Sequence, residues 1–600
     1  MPEKTLPIYQ SSAKKNHRSS WSRVLLSIAA FSAVVGWWAY SSSITHTSPL
    51  ASFLKIDLSS VFGTFSEPLT SSGLCPTVEK LDPLEFLYNN ETLDRILHDE
   101  AFKAKSRERL LGAIRVPTEL YDDLLNPNSA DTLEDLLEIE PRWKPFIPFH
   151  KYLEDTFPLV HKNLKVEKVN KFALVYTWEG SSNKKPILLA AHQDVVPIQK
   201  ESLDQWDYPP YEGGYDGEWL YGRGSADCKS LLIGLLETIE LLLEEGHFNP
   251  QRTIVLAFGY DEESAGTGAE EISKHLLKRY GPDSFMQIID EGSEGYVQLD
   301  EGGVNYIIPC TSEKGHLDSV IELYTPGGHS SVPPDHTSIG ILARLIANIE
   351  DKQFDSILTR NNPLLHMLYC YADYSTELDD SLRSDIYKAH LDVKSNENVI
   401  EFINNSLKHK YIITTSQAVD VIGGGVKANA LPEHVSVLVN HRIAVEESVA
   451  VVVDKIVGQV KEIAEKFSLG VIVDGKVIIE PTDNGHFVYN TVGALEPAPV
   501  TPNNGHVWET YGGALRYLYE DLIFPESSEP FVFAPIIGTG NTDTKSYWDL
   551  TKQIYRYQPG LGQVEENAHT VNEKIQLQSH FTIISFYYYY LQLADKLSDE

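Results

Sequence analysis

The sequence predicts an α/β lobe built on a mostly parallel sheet, interrupted by an α+β insert and preceded by an N-terminal transmembrane helix. Three observations carry this expectation. Apolar strand-like runs alternate with helix-like ones from about residue 160, the texture changes between 312 and 500, and a charge-free apolar stretch occupies 24–40.

In chain order, "VLLSIAAFSAVVGWWAY" at 24–40 is at the short end of what spans a bilayer. Lys14, Lys15, Arg18 and Arg23 precede it and the next basic residue is Lys55, so 1–23 is expected as a cytoplasmic tail. Residues 41–75 are Ser/Thr-rich and read as a lumenal stalk. The remainder would then lie on the lumenal or extracellular side, in keeping with the glycosylation sequons at Asn90 and Asn404. Residues 76–311 form the first part of the main lobe. There "KFALVYTWEG", "KPILLAAHQDVV", "RTIVLAFGY" and "SFMQIID" read as strands, and "KSLLIGLLETIELLLEEG" as a helix stopped by Gly246. Continuously apolar strands between helices imply a sheet covered on both faces. The insert, 312–500, adds strands such as "LDSVIELYT" and "HVSVLVNHRI" and the helix "SVAVVVDKIVGQVKEIAEKF". Residues 501–600 return to the main lobe and end in an aromatic helix whose tyrosine run, at helical spacing, reads as core.

A chain of 600 residues needs more than one core. A net charge of −35 excludes a nucleic-acid partner, which requires a basic footprint. Cys75, Cys228, Cys310 and Cys370 are too few and scattered for a disulfide framework or a cysteine metal site, though one bridge is open.

His192 and Asp194 leave the strand "ILLAAHQDVV" two residues apart, on the same face, where an acid can orient an imidazole. Asp227 sits in the turn "YGRGSADCKS", Asp261, Glu262 and Glu263 follow "TIVLAFGY", Asp290 and Glu291 follow "SFMQII", and His569 precedes the last helix. In open α/β sheets the crevice lies beyond the carboxyl ends of the strands, so these positions can converge. Each alone is an ordinary turn or cap. Together they supply the mixed nitrogen and oxygen donors that zinc accepts.

The ordered motifs "HQDVVP", "PPYEGGYDGEWLYGRGSADCKS", "DEESAGTGAEEI", "DEGS", "GGHSSVPP", "GGGVKANALPE" with "NHR", "GTGNTDTKSYW" and "ENAHTVNE" cover roughly residues 75–600. They resemble the two-zinc metallopeptidase family of aminoacylases, bacterial glutamate carboxypeptidase and carnosinase-type dipeptidases. Within it they are most similar to the branch of fungal vacuolar Gly-X carboxypeptidases with an N-terminal membrane anchor. The resemblance implies a zinc-exopeptidase-like main lobe, a lid or dimerisation insert, and a pair of zinc ions. It implies His192 and Glu263 as ligands of one set, His569 and an acid at 290 or 291 (Asp290 favoured) of the other, and Asp227 as the bridge. Asp194 would orient His192, and Glu262 would be the general base to a metal-activated water. His329 would stabilise the oxyanion, in many members from a partner subunit. Asn429, Arg442, Gly540, Asn541 and Thr542 would contact the substrate. Cys228 reads as a small buried residue. The activity implied is removal of a C-terminal residue from short peptides with glycine before it. N-acyl-amino-acid hydrolysis is the alternative, and a metal-free binding protein on the same fold would need a missing ligand that the sequence does not show.

Overall fold

In the strand Ile187–His192, Ile187, Leu189 and Ala191 join one core while Leu188 and Ala190 join another. Ile254–Gly259 repeats the pattern, with Leu256 and Phe258 on one side and Val255 and Ala257 on the other. Period-two alternation with both faces buried is how a central strand must read. These strands lie in an eight-stranded sheet whose order is Lys165–Val169, Ala173–Trp178, Ile254–Gly259, Ile187–His192, Gln287–Glu294, Ile554–Gln558, Cys310–Glu313 and Ile536–Gly538.

The centre, from Ile254–Gly259 to Ile554–Gln558, is parallel, and so is the edge pair Cys310–Glu313 and Ile536–Gly538. The first two strands pair antiparallel with each other and with the centre, and Cys310–Glu313 meets Ile554–Gln558 antiparallel. The sheet is therefore mixed: its pairings are parallel at the centre and at one edge, and antiparallel elsewhere. The connection at Asn170 and Lys171, both at positive φ, is too short for a crossover and forces the first pair to be a hairpin.

The computed structural model describes residues 72–599 except 84–86, 88–90, 302 and 563–565. The expected tail, the anchor, most of the stalk and the Asn90 sequon lie outside the described residues. Among those described, no helix is long and apolar enough to cross a membrane. Helices Lys229–Glu245 and Leu577–Ala594 cover one face of the sheet, and Tyr587–Tyr590 are all buried there. Tyr588 donates to Glu245 and Tyr589 to the Ala514 carbonyl, each at 2.7 Å, so the apolar rings are buried without stranding their hydroxyls. Trp143, Phe146, Phe172 and Tyr260 pack with helix Thr267–Tyr280 on the other face.

A six-stranded sheet occupies much of the insert, in the order Ala418–Gly424, His434–Ile443, Gly315–Tyr324, His486–Leu495, Gly470–Val473, Lys476–Ile479. Its alternating strands bury one face under helices Ser338–Asp351 and Val449–Phe467. The middle of the insert does not belong to this layer. Residues of helices Pro363–Tyr374, Asp380–Lys388 and Val393–Asn404 pack against Tyr306, Ile308, Ile536 and Ile537 of the main lobe. The one disulfide among the described residues, Cys75–Cys370, ties the last residue of the expected stalk to this helical excursion.

Candidate metal centre

His192 ends its strand, and the chain turns so that its ring points into the crevice. Nδ1 donates to the Asp194 carbonyl at 3.0 Å, which leaves Nε2 free to face Asp227 Oδ1 at 2.9 Å. The Asp194 carboxylate lies 3.5 Å from Nδ1 and also holds the neighbouring turn. Its Oδ1 accepts the amide of Glu262 at 3.3 Å and its Oδ2 that of Glu263 at 3.1 Å. One buried acid thus fixes both the imidazole and the turn carrying two glutamates.

Asp227 sits in the turn before helix Lys229–Glu245, and its other oxygen, Oδ2, lies 3.2 Å from His569 Nε2. His569 Nε2 is also 2.8 Å from Glu263 Oε2. The backbone of His569 is left-handed, at φ 59°, a conformation non-glycine residues seldom adopt. Two groups result, His192–Asp227–Cys228–Glu291 and Asp227–Glu263–His569, each with its candidate ligand atoms within 4.8 Å of one another, which corrects the expected sets: Glu263 stands with His569, and His192 with Glu291. Asp227 belongs to both. Cys228 is within reach, but its Sγ accepts the His192 amide at 3.2 Å.

The acid that approaches His192 is Glu291, at 3.4 Å, and not the favoured Asp290. Asp290 is turned away: Oδ1 accepts the Glu291 amide at 2.9 Å, and Oδ2 is buried without a hydrogen-bond partner. The cause is a bulge. The register with Ile554–Gln558 jumps from Asp290↔Arg556 to Ser293↔Tyr557, leaving Glu291 and Gly292 unpaired. Gly292, at φ 153°, lies against Arg556, whose Cβ and carbonyl oxygen would be 2.6 Å from any Cβ there.

Asp227 is held well below the usual carboxylate range, against its burial, by His192 and His569, whereas burial and mutual repulsion push the other cluster acids up. Glu263 reaches about 8, driven by burial and Asp227, and Asp290 about 8, driven by burial and Glu291. Glu291 and Glu262 are also raised, Glu262 well above the carboxylate range by burial and by Glu291. Burial works against protonation of His569, yet Asp227 and Glu263 lift it to about 9. His192 is likewise held high against its burial by Cys228, Glu291, Asp194 and Asp227. So many acids in a low-dielectric cleft need positive charge. Two imidazoles, two glutamates and an aspartate with its two oxygens facing different histidines fit a pair of divalent ions sharing Asp227.

The remaining expected contacts fall into three pairs. His329 and Asn429 are exposed on a ribbon of the insert, where Gly328–His329 pairs with Ala430–Leu431. Arg442 is half-buried and donates from Nη1 to Asn541 Oδ1 at 3.0 Å, joining insert to main lobe. Thr542 caps the short turn Asp543–Ser546, and Gly540 is exposed beside it. Sequence reasoning passed over Glu573. It closes the motif "ENAHTVNE", and it turns back to accept the amide of Asp227 at 3.2 Å.

The pattern of peptidase family M20/M25/M40 matches residues 188–593. Carboxypeptidase S of Saccharomyces cerevisiae is 42% identical over 86% of this chain and 88% of its own. Human N-fatty-acyl-amino acid synthase/hydrolase PM20D1 is 29% identical over 82% of this chain and 88% of its own. Among solved structures, human carnosine dipeptidase 1 superposes with a TM-score of 0.55 at 13% identity, covering 84% of this chain and 99% of that one. The matched span opens within the strand that ends at His192 and runs past His569, taking in every member of the cluster; the chain belongs to peptidase family M20/M25/M40.

Proposed function

We propose that the protein is a zinc-dependent carboxypeptidase that removes the C-terminal residue from short peptides, preferring glycine in the penultimate position. The observation that carries this is Asp227, whose two oxygens stand 2.9 and 3.2 Å from His192 and His569. The likeness to carboxypeptidase S over most of both chains supports the peptidase reading. Zinc ions held by His192, Asp227 and Glu291 and by Asp227, Glu263 and His569 would supply Lewis acidity and lower the pKa of a shared water from about 16 to about 7.

The chain's own residues do the rest. Glu262, on the turn held by Asp194, takes the proton of the attacking water and returns it to the departing amine. Arg442 has an amide partner and, among the described residues, no carboxylate in ion-pair range, so its fork is available to the substrate's terminal carboxylate. Gly540, Asn541 and Thr542 line the same side. His329, exposed on the insert, would reach the scissile carbonyl on closure of the lid or from a second copy in a homodimer.

A second reading, hydrolysis of N-acyl amino acids, is favoured by the name of the human relative. Rates on Gly-Leu and on an N-acyl-leucine separate the two. The carboxypeptidase reading expects kcat/KM at least about tenfold higher on the dipeptide, and the reverse order would replace it.

We also propose a single-pass anchor at 24–40 with the catalytic lobe in the vacuolar lumen. The Cys75–Cys370 bridge supports an oxidising compartment. Release of the protein into the supernatant by alkaline carbonate, without prior proteolysis, would contradict the anchor.

A further inference from the structure

Glu573 is fully buried behind the centre. Its Oε1 accepts the amides of Ala226 at 3.1 Å and Asp227 at 3.2 Å, and its Oε2 takes Arg223 Nη1 at 2.5 Å. Its backbone carbonyl accepts the Gly222 amide at 2.9 Å. One residue therefore grips both ends of the turn that presents Asp227.

Glu573 also closes the loop that presents His569. Beside it, the Lys574 amide donates to the Glu566 carbonyl at 2.8 Å, and Asn567 Nδ2 reaches the Asn572 carbonyl at 3.2 Å. Asn572 is in turn bonded to Asp207, accepting its amide at 2.7 Å and donating to its carboxylate at 3.0 Å. Asp227 and His569 are far apart in sequence, and the Glu573 carboxylate bridges the segments that carry them. The arrangement repeats the grip of Asp194 on the Glu262 and Glu263 amides. Each carboxylate holds two backbone amides of one turn at once, and Glu573 takes Arg223 as well, so each clamp fixes its turn at more than one point.

We propose that Glu573 is a positioning residue for the metal site formed by Asp227, Glu263 and His569, acting by fixing Asp227 and His569 relative to one another. The proposal rests on the two-metal reading above.

The test is titration of the metal-stripped intact protein with zinc against a chromogenic chelator, with thermal melts of the metal-free forms. Wild type should take two equivalents. Glu573→Gln should bind the equivalent at Glu263 and His569 about 10–100-fold less tightly, weaken the other, which shares only Asp227, by a smaller factor, and melt near wild type without metal. In a His569→Ala background, which already lacks that site, Glu573→Gln should weaken the remaining equivalent by no more than that smaller factor. Glu573→Asp, which keeps the charge at shorter reach, should give an intermediate loss and serves if the glutamine variant does not fold. Unchanged affinity in the variants, or equal weakening of both equivalents with a collapsed metal-free melt, overturns the proposal alone. Fewer than two equivalents in wild type overturns the two-metal reading and the proposal with it.

Discussion

Asp227 faces a different histidine with each carboxylate oxygen, and Glu262 hangs on a turn whose amides Asp194 holds. If Glu262 moves the proton and does not bind metal, Glu262→Gln should lower kcat by about 10²–10⁴-fold with zinc content unchanged. Elemental analysis beside steady-state rates checks both halves. The same residues set a pH dependence. Without metal, Asp227 and Glu263 hold the His569 proton up to about 9, and Glu263 is itself raised by burial and Asp227, so the hydrogen-bonded pair still holds protons at pH 7. Metal must displace those protons. Zinc affinity should therefore fall as pH drops from about 9, and zinc added at pH 7 in weak buffer should release protons to an indicator dye. Uptake without acidification would contradict these protonation states.

At the scale of elements, the bulge at Glu291 and Gly292 decides which acid joins the centre. A Cβ at 292 would meet Arg556 backbone atoms that cannot yield. Gly292→Ala should destabilise the fold by about 1–3 kcal/mol and displace Glu291, measured by denaturant unfolding and by kcat. This is also where the sequence stopped being informative. Adjacent strand residues face opposite ways, so either Asp290 or Glu291 had to face the cleft. Nothing in "IIDEGS" marks which, because the answer depends on register against a strand more than 250 residues away. His192, Asp227, Glu263 and His569 were legible because each leaves a regular element at a recognisable turn. The Asp194 clamp was half legible: the spacing placed it beside His192, but its grip on the Glu262 and Glu263 amides is a long-range contact.

For the whole molecule, strand and helix periodicity pointed to a main sheet covered on both faces and to an insert of α+β character. It could not give the partner of a helix. Helices between 363 and 404 have ordinary amphipathic patterns, and only the fold shows that they pack on the main lobe and are tied by Cys370 to Cys75. The chain thus crosses between lobes within the insert as well as at its ends, and Arg442 meets Asn541 across the same boundary. The central claim is that distant strand ends and loops build one dinuclear centre around Asp227. Anomalous diffraction at the zinc edge from crystals of the intact protein tests it most directly. Two peaks are expected, one bounded by His192, Asp227 and Glu291 and the other by Asp227, Glu263 and His569. A single peak, or a pair that leaves Asp227 outside coordination distance of either ion, would contradict it.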